Sequence, residues 1–156
     1  MRKLFLVLAT LLLLDVIAQF YFAGVGAFHQ PNDEQGFTLH AGNALVVQGL
    51  AVLTAIAAAL ARAGWGTVGL AVLPALLKEI QYGIFALTEL FVPAGVPRNA
   101  DGIPLVVEGA PNFVIAIHVL NGLAILWIAV VVFRRARRLA AQPAVDAPAP
   151  AAVPGA

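Results

Sequence analysis

Residues 67–92, TVGLAVLPALLKEIQYGIFALTELFV, set Lys78, Glu79, Gln81 and Tyr82 in the middle of a largely apolar run. A helix rises 1.5 Å per residue, so a run of this length crosses the roughly 30 Å hydrocarbon core of a bilayer. Charge at that depth is costly and normally turns toward a bundle interior, which makes this cluster the first candidate for a functional site.

Working outward, the composition agrees with a membrane setting. The 156 residues are 62% hydrophobic and 11% charged, with mean hydropathy +0.93, whereas soluble domains run about 45–50% apolar and about 25% charged. There is no cysteine. Disulfides, thiolate catalysis and cysteine-held zinc or iron–sulfur clusters are therefore excluded.

Three further runs match the first. Residues 4–23 follow a basic start; a cleavable leader would also begin this way, but Asp15 and Gln19, four apart on one face, suit a retained and packed helix better. Residues 37–61 form the second run, after a polar loop in which Asn32, Asp33 and Glu34 can cap the next helix. Arg62 to Gly66 is a tight turn with an interfacial tryptophan. Pro74 removes one donor from the third run and predicts a kink there. A connector rich in proline and glycine leads to Pro111, suited to a first helical turn, and to the fourth run, 112–133. The arginine cluster 134–138 is the expected stop. Residues 139–156, dominated by alanine and proline, are expected to be a disordered tail.

The expected fold is an all-α membrane protein, a four-transmembrane-helix up-and-down bundle forming one domain over 1–138. Arg2, Lys3, Arg62, Arg134, Arg135, Arg137 and Arg138 fall on the side of both termini, and only Arg98 falls opposite. This bias predicts a multi-pass plasma-membrane protein with both termini cytoplasmic.

Counting residues from the cytoplasmic ends gives depths. Asp15 lies twelve residues from Lys3, and Lys78 twelve from Gly66, with Asn121 on the fourth helix near the same level. An ion pair between Asp15 and Lys78 is expected, one that sets helix register. One turn further out, Gln19, Gln48, Tyr82 and His118 share a level, with Gln81 close by. These amides are expected to tie helices together, and Tyr82 to be a bonded core residue. Glu79 lies about 100° from the Lys78 face, toward a neighbouring helix, with no partner evident from the sequence.

His40 and Asn43, and His118 and Asn121, repeat the pattern His-x-x-Asn. Two imidazoles on neighbouring helices can supply both axial ligands of a haem iron, with Gly42, Ala44, Gly122 and Ala124 leaving room for the ring. Over residues 1–138 the chain resembles small bacterial four-helix membrane proteins of unassigned function. The two histidines resemble the bis-histidine arrangement of b-type membrane cytochromes and haem A synthase. That resemblance implies haem b held by His40 and His118. Depth opposes it: His40 is 22 residues from Arg62 but His118 only 16 from Arg134, a mismatch of about 9 Å.

A zinc site from His29, His40 and Glu89 has no supporting motif. Phosphate loops, nucleophile elbows and basic aromatic surfaces for nucleic acid are all missing from the sequence. The four clustered arginines read as a topology determinant and secondarily as an anionic-lipid site. The expected function is a non-enzymatic membrane subunit or accessory partner, without catalytic residues, metal or cofactor, whose buried polar network holds the bundle. Its expected partners are the lipid bilayer and other membrane subunits. The alternatives are a haem b electron carrier and a proton-handling or small-molecule-handling membrane protein.

Overall fold

The computed structural model describes residues 1–29, 34–92, 94–96 and 110–142, except for the side chains at 34, 88–89 and 110–115. The expected cap at Asn32 and Asp33, the central connector with Arg98, the Glu89 side chain and the tail from residue 143 lie outside the described residues.

Four helices run α1 Arg2–Ala27, α2 Thr38–Leu60, α3 Trp65–Glu89 and α4 Ala110–Ala140, with a short 3-10 turn at Glu34–Phe37 before α2. All four are long and apolar enough to cross a membrane. Each packs on two neighbours, α1 on α2 and α4, and α3 on α2 and α4. Around the bundle α1 therefore stands diagonally from α3, and α2 from α4. This is the up-and-down arrangement that the four apolar runs predict.

Alanine dominates the interior. At the end carrying the start of α1 and the last turn of α4, Phe5, Ala9, Ala58, Ala71, Val132 and Ala136 form one buried cluster; Leu12, Val16, Val47, Ala51, Ala75, Ile125 and Ala129 form a second, nearer the middle. Small side chains let helix backbones approach closely, which replaces the hydrophobic drive that lipid cannot supply. The larger residues point outward: Leu45, Leu120 and Trp127 are each more than three-fifths exposed, as suits a surface solvated by acyl chains.

The turn from α2 to α3 reverses the chain through left-handed backbone at Arg62 (φ 55°) and Gly64 (φ 82°). Pro74 lies fully buried inside α3, which continues through it. Pro111 takes its place in the first turn of α4. At the other end of that helix the expectation fails, because α4 runs on through the arginine cluster to Ala140. Long cationic side chains reach the headgroups while their helix continues, so arginines mark the membrane surface and not the end of the helix.

Candidate functional site: the interhelical polar layers

The polar residues divide into three groups, each joining particular helices. On the α1–α2 side, Gln19 Nε2 donates to the His40 carbonyl at 2.9 Å, and Asn43 Nδ2 donates to Gln19 Oε1 at 2.8 Å. His40 Nδ1 donates to the Gln19 carbonyl at 3.1 Å, and its Nε2 lies 3.4 Å from the Gln19 amide nitrogen. A main-chain carbonyl only accepts, so Nδ1 carries the proton and Nε2 is the bare nitrogen. Asn43 and His40 share one face because they stand three residues apart. The sequence pattern noted both residues, but only as parts of the histidine repeat.

Between α2 and α3, Glu79 Oε1 accepts from Gln48 Nε2 at 3.2 Å and from Lys78 Nζ at 3.4 Å. Glu79, for which the sequence offers no partner, is thus bonded to Gln48 and Lys78. The 100° offset that turns it from the Lys78 face turns it toward α2. Lys78, 8% exposed, also donates to Tyr82 Oη at 3.1 Å, with its ammonium 4.5 Å from the centre of that ring. Tyr82 is 58% exposed and stands at the bundle surface, not in the core. The expected pair of Lys78 with Asp15 is not formed: the lysine is satisfied along its own helix, and Asp15 Oδ2 is buried without a hydrogen-bond partner. A count of residues estimates depth alone and carries no information about azimuth around the helix.

Between α3 and α4, Asn121 Nδ2 donates to the Leu77 carbonyl at 2.8 Å and Gln81 Nε2 to the His118 carbonyl at 3.3 Å. Each of these amides ties α3 to α4.

The histidines meet. The rings of His40 and His118, on diagonally opposite helices, lie 5.9 Å apart between centroids at an interplanar angle of 62°, and Phe85 packs against His118 at 5.1 Å. The calculated mismatch in depth came from counting α4 from Arg134. Counted from the observed helix ends, Ala140 and Leu60, His118 lies 22 residues in and His40 20, so a mismatch of six residues shrinks to two. His118 Nδ1 is buried without a hydrogen-bond partner.

The small residues expected to leave room for a haem do not line an open slot. Gly42 and Ala124 are exposed, and the space over Gly122 is taken by the Phe20 ring, 3.4 Å from where a β-carbon would stand. Among the described residues no group of three or more histidines and carboxylates is placed to hold a metal ion. The expected zinc set included Glu89, whose side chain is outside the described residues.

Fold and site together define a small multi-pass bundle whose interior polar groups mostly bond from helix to helix. Residues 19–88 match the family of unknown function DUF6220. The match takes in Gln19, His40, Asn43, Gln48 and the Lys78–Tyr82 cluster, but stops short of α4 and covers a little under half of the chain. No curated protein and no solved structure matches the chain.

Proposed function

We propose that this chain is a non-enzymatic membrane subunit, a preassembled bundle that supports larger partners, with both termini cytoplasmic. One observation carries the reading: the interior amides spend donors on main-chain carbonyls of a neighbouring helix, as Gln19 does on His40, Asn121 on Leu77 and Gln81 on His118. A donor used in this way fixes helix position and is not offered to a substrate. The basic bias toward the termini supports the orientation. Extraction from native membranes in mild detergent, followed by native electrophoresis, tests the role. The chain is expected in an assembly well above its own 16.2 kDa; recovery only as a free monomer overturns the proposal.

A second reading, haem b binding, is favoured by the 5.9 Å between the histidine rings. Two imidazoles this close could hold one iron between them. His40 and His118 would be the ligands, and the bond from His40 Nδ1 to the Gln19 carbonyl would orient one of them. Room for the macrocycle requires Phe20 and Phe85 to swing away. The group would supply one-electron chemistry. A Soret band on haem supplementation, abolished by His118→Ala, is the expected result; no band after supplementation excludes this reading.

A further inference from the structure

At the end of the bundle carrying both termini, seven basic residues gather and the described residues include no carboxylate. Two of the seven share one recess. A shallow cavity of about 190 Å³ is lined by Ala63, Thr67, Arg135, Arg138, Leu139 and Gln142. Arg135 Nη1 donates to Thr67 Oγ1 at 3.2 Å, and Thr67 is itself 7% exposed, so a buried hydroxyl on α3 fixes one guanidinium of α4 at the rim. Arg2 closes in from the side through a 3.3 Å bond to the Gln142 carbonyl.

The chemistry of the recess is two-sided. A guanidinium has five N–H donors, and one bond to Thr67 leaves most of them free for oxyanions. Leu139 and Ala63 supply an apolar wall beside those donors. The recess is open to the surface and has room for a phosphate group. Trp65, 86% exposed at the start of α3, stands two residues from Thr67, a placement typical of the headgroup level.

We propose that this recess binds the phosphate of an anionic phospholipid, with Arg135 and Arg138 as oxyanion donors and the acyl chains running down the apolar exterior of α3 and α4. The assignment is independent of the functional readings above. Free phosphate shares the oxyanion chemistry but gains nothing from the apolar wall, so the lipid is the favoured source.

The test uses the full chain in detergent micelles containing phosphatidylglycerol or phosphatidylcholine, with retained lipid counted by native mass spectrometry. Wild-type protein is expected to retain phosphatidylglycerol preferentially. The double variant Arg135→Gln with Arg138→Gln should lose roughly thirtyfold in retention, since each surface cation contributes about 1 kcal/mol to anionic-lipid attraction and two are removed. Arg134→Gln with Arg137→Gln removes equal charge but no donor of the recess and should lose several-fold less than the first pair. Thr67→Val, which keeps both arginines but frees Arg135, should fall between the two pairs; it carries the test if the first pair fails to fold. Equal loss in both arginine pairs would show diffuse attraction and overturn the site. Displacement of the lipid by millimolar inorganic phosphate would overturn the lipid assignment in favour of free phosphate.

Discussion

Residue counting sets Asp15 and Lys78 at one depth, yet the two do not pair. The Lys78 ammonium bonds Tyr82 and Glu79, while Asp15 Oδ2 is buried with no partner. A polar atom left unpaired in a buried site costs about 1–3 kcal/mol. Asp15 also shares a side-chain bond with Asn43, so Asp15→Leu removes one unpaired oxygen and one bond together and is expected to change stability by less than about 1 kcal/mol in SDS or thermal unfolding. A large loss instead would mean that Asp15 has a further partner in the membrane. Asn121 differs, because its 2.8 Å bond to the Leu77 carbonyl joins α4 to α3. Asn121→Leu should cost roughly 0.5–2 kcal/mol in the same assay, the range for interhelical bonds in membranes.

At the scale of elements, the 3-10 turn Glu34–Phe37 sits against the end of α1 through two glycines. A β-carbon on Gly36 would stand 2.6 Å from His29 Cβ and 3.0 Å from the Gly26 carbonyl; one on Gly26 would stand 2.9 Å from the Gly36 carbonyl. Backbone meets backbone there, and no side chain can swing clear. Gly36→Ala is expected to lower stability by about 1–3 kcal/mol, as overpacking does, whereas Gly49→Ala, with open space around it, should be neutral or better. Equal effects of the two in thermal melts would deny the close approach. Helix α4 offers the other lesson at this scale. Its continuation to Ala140 brings His118 nearly into register with His40, so a helix end misplaced by seven residues had separated two rings that touch.

For the whole molecule, the proposed orientation follows from charge bias and is open to direct test. The chain lacks cysteine, so single cysteines report without background. A cysteine at Phe28, 87% exposed at the end opposite the termini, should label in intact cells with an impermeant maleimide. One at Ala141 should label only after lysis. The reverse pattern would invert the topology. Up-and-down packing of four helices also makes diagonal pairs meet only through long or aromatic side chains, which is how His40 and His118 come within 5.9 Å across the bundle.

The sequence alone determined the number of crossings, their approximate extents and the class of fold. These depend on apolar length and charge distribution, which are properties of the chain taken one segment at a time. It also placed Gln19, Gln48, Gln81, His118 and Asn121 in the bundle's polar layers, because rise per residue is fixed. Depth is one coordinate, however, and partnership needs azimuth and the true helix ends as well. Tertiary packing alone decided that Glu79 bonds Gln48 and Lys78, that Asp15 Oδ2 stays unpaired, that Tyr82 stands outside the core, and that the two histidines meet. Those outcomes depend on how each helix is rotated against its neighbours, and the small alanines that set the rotation act only once the helices are in contact.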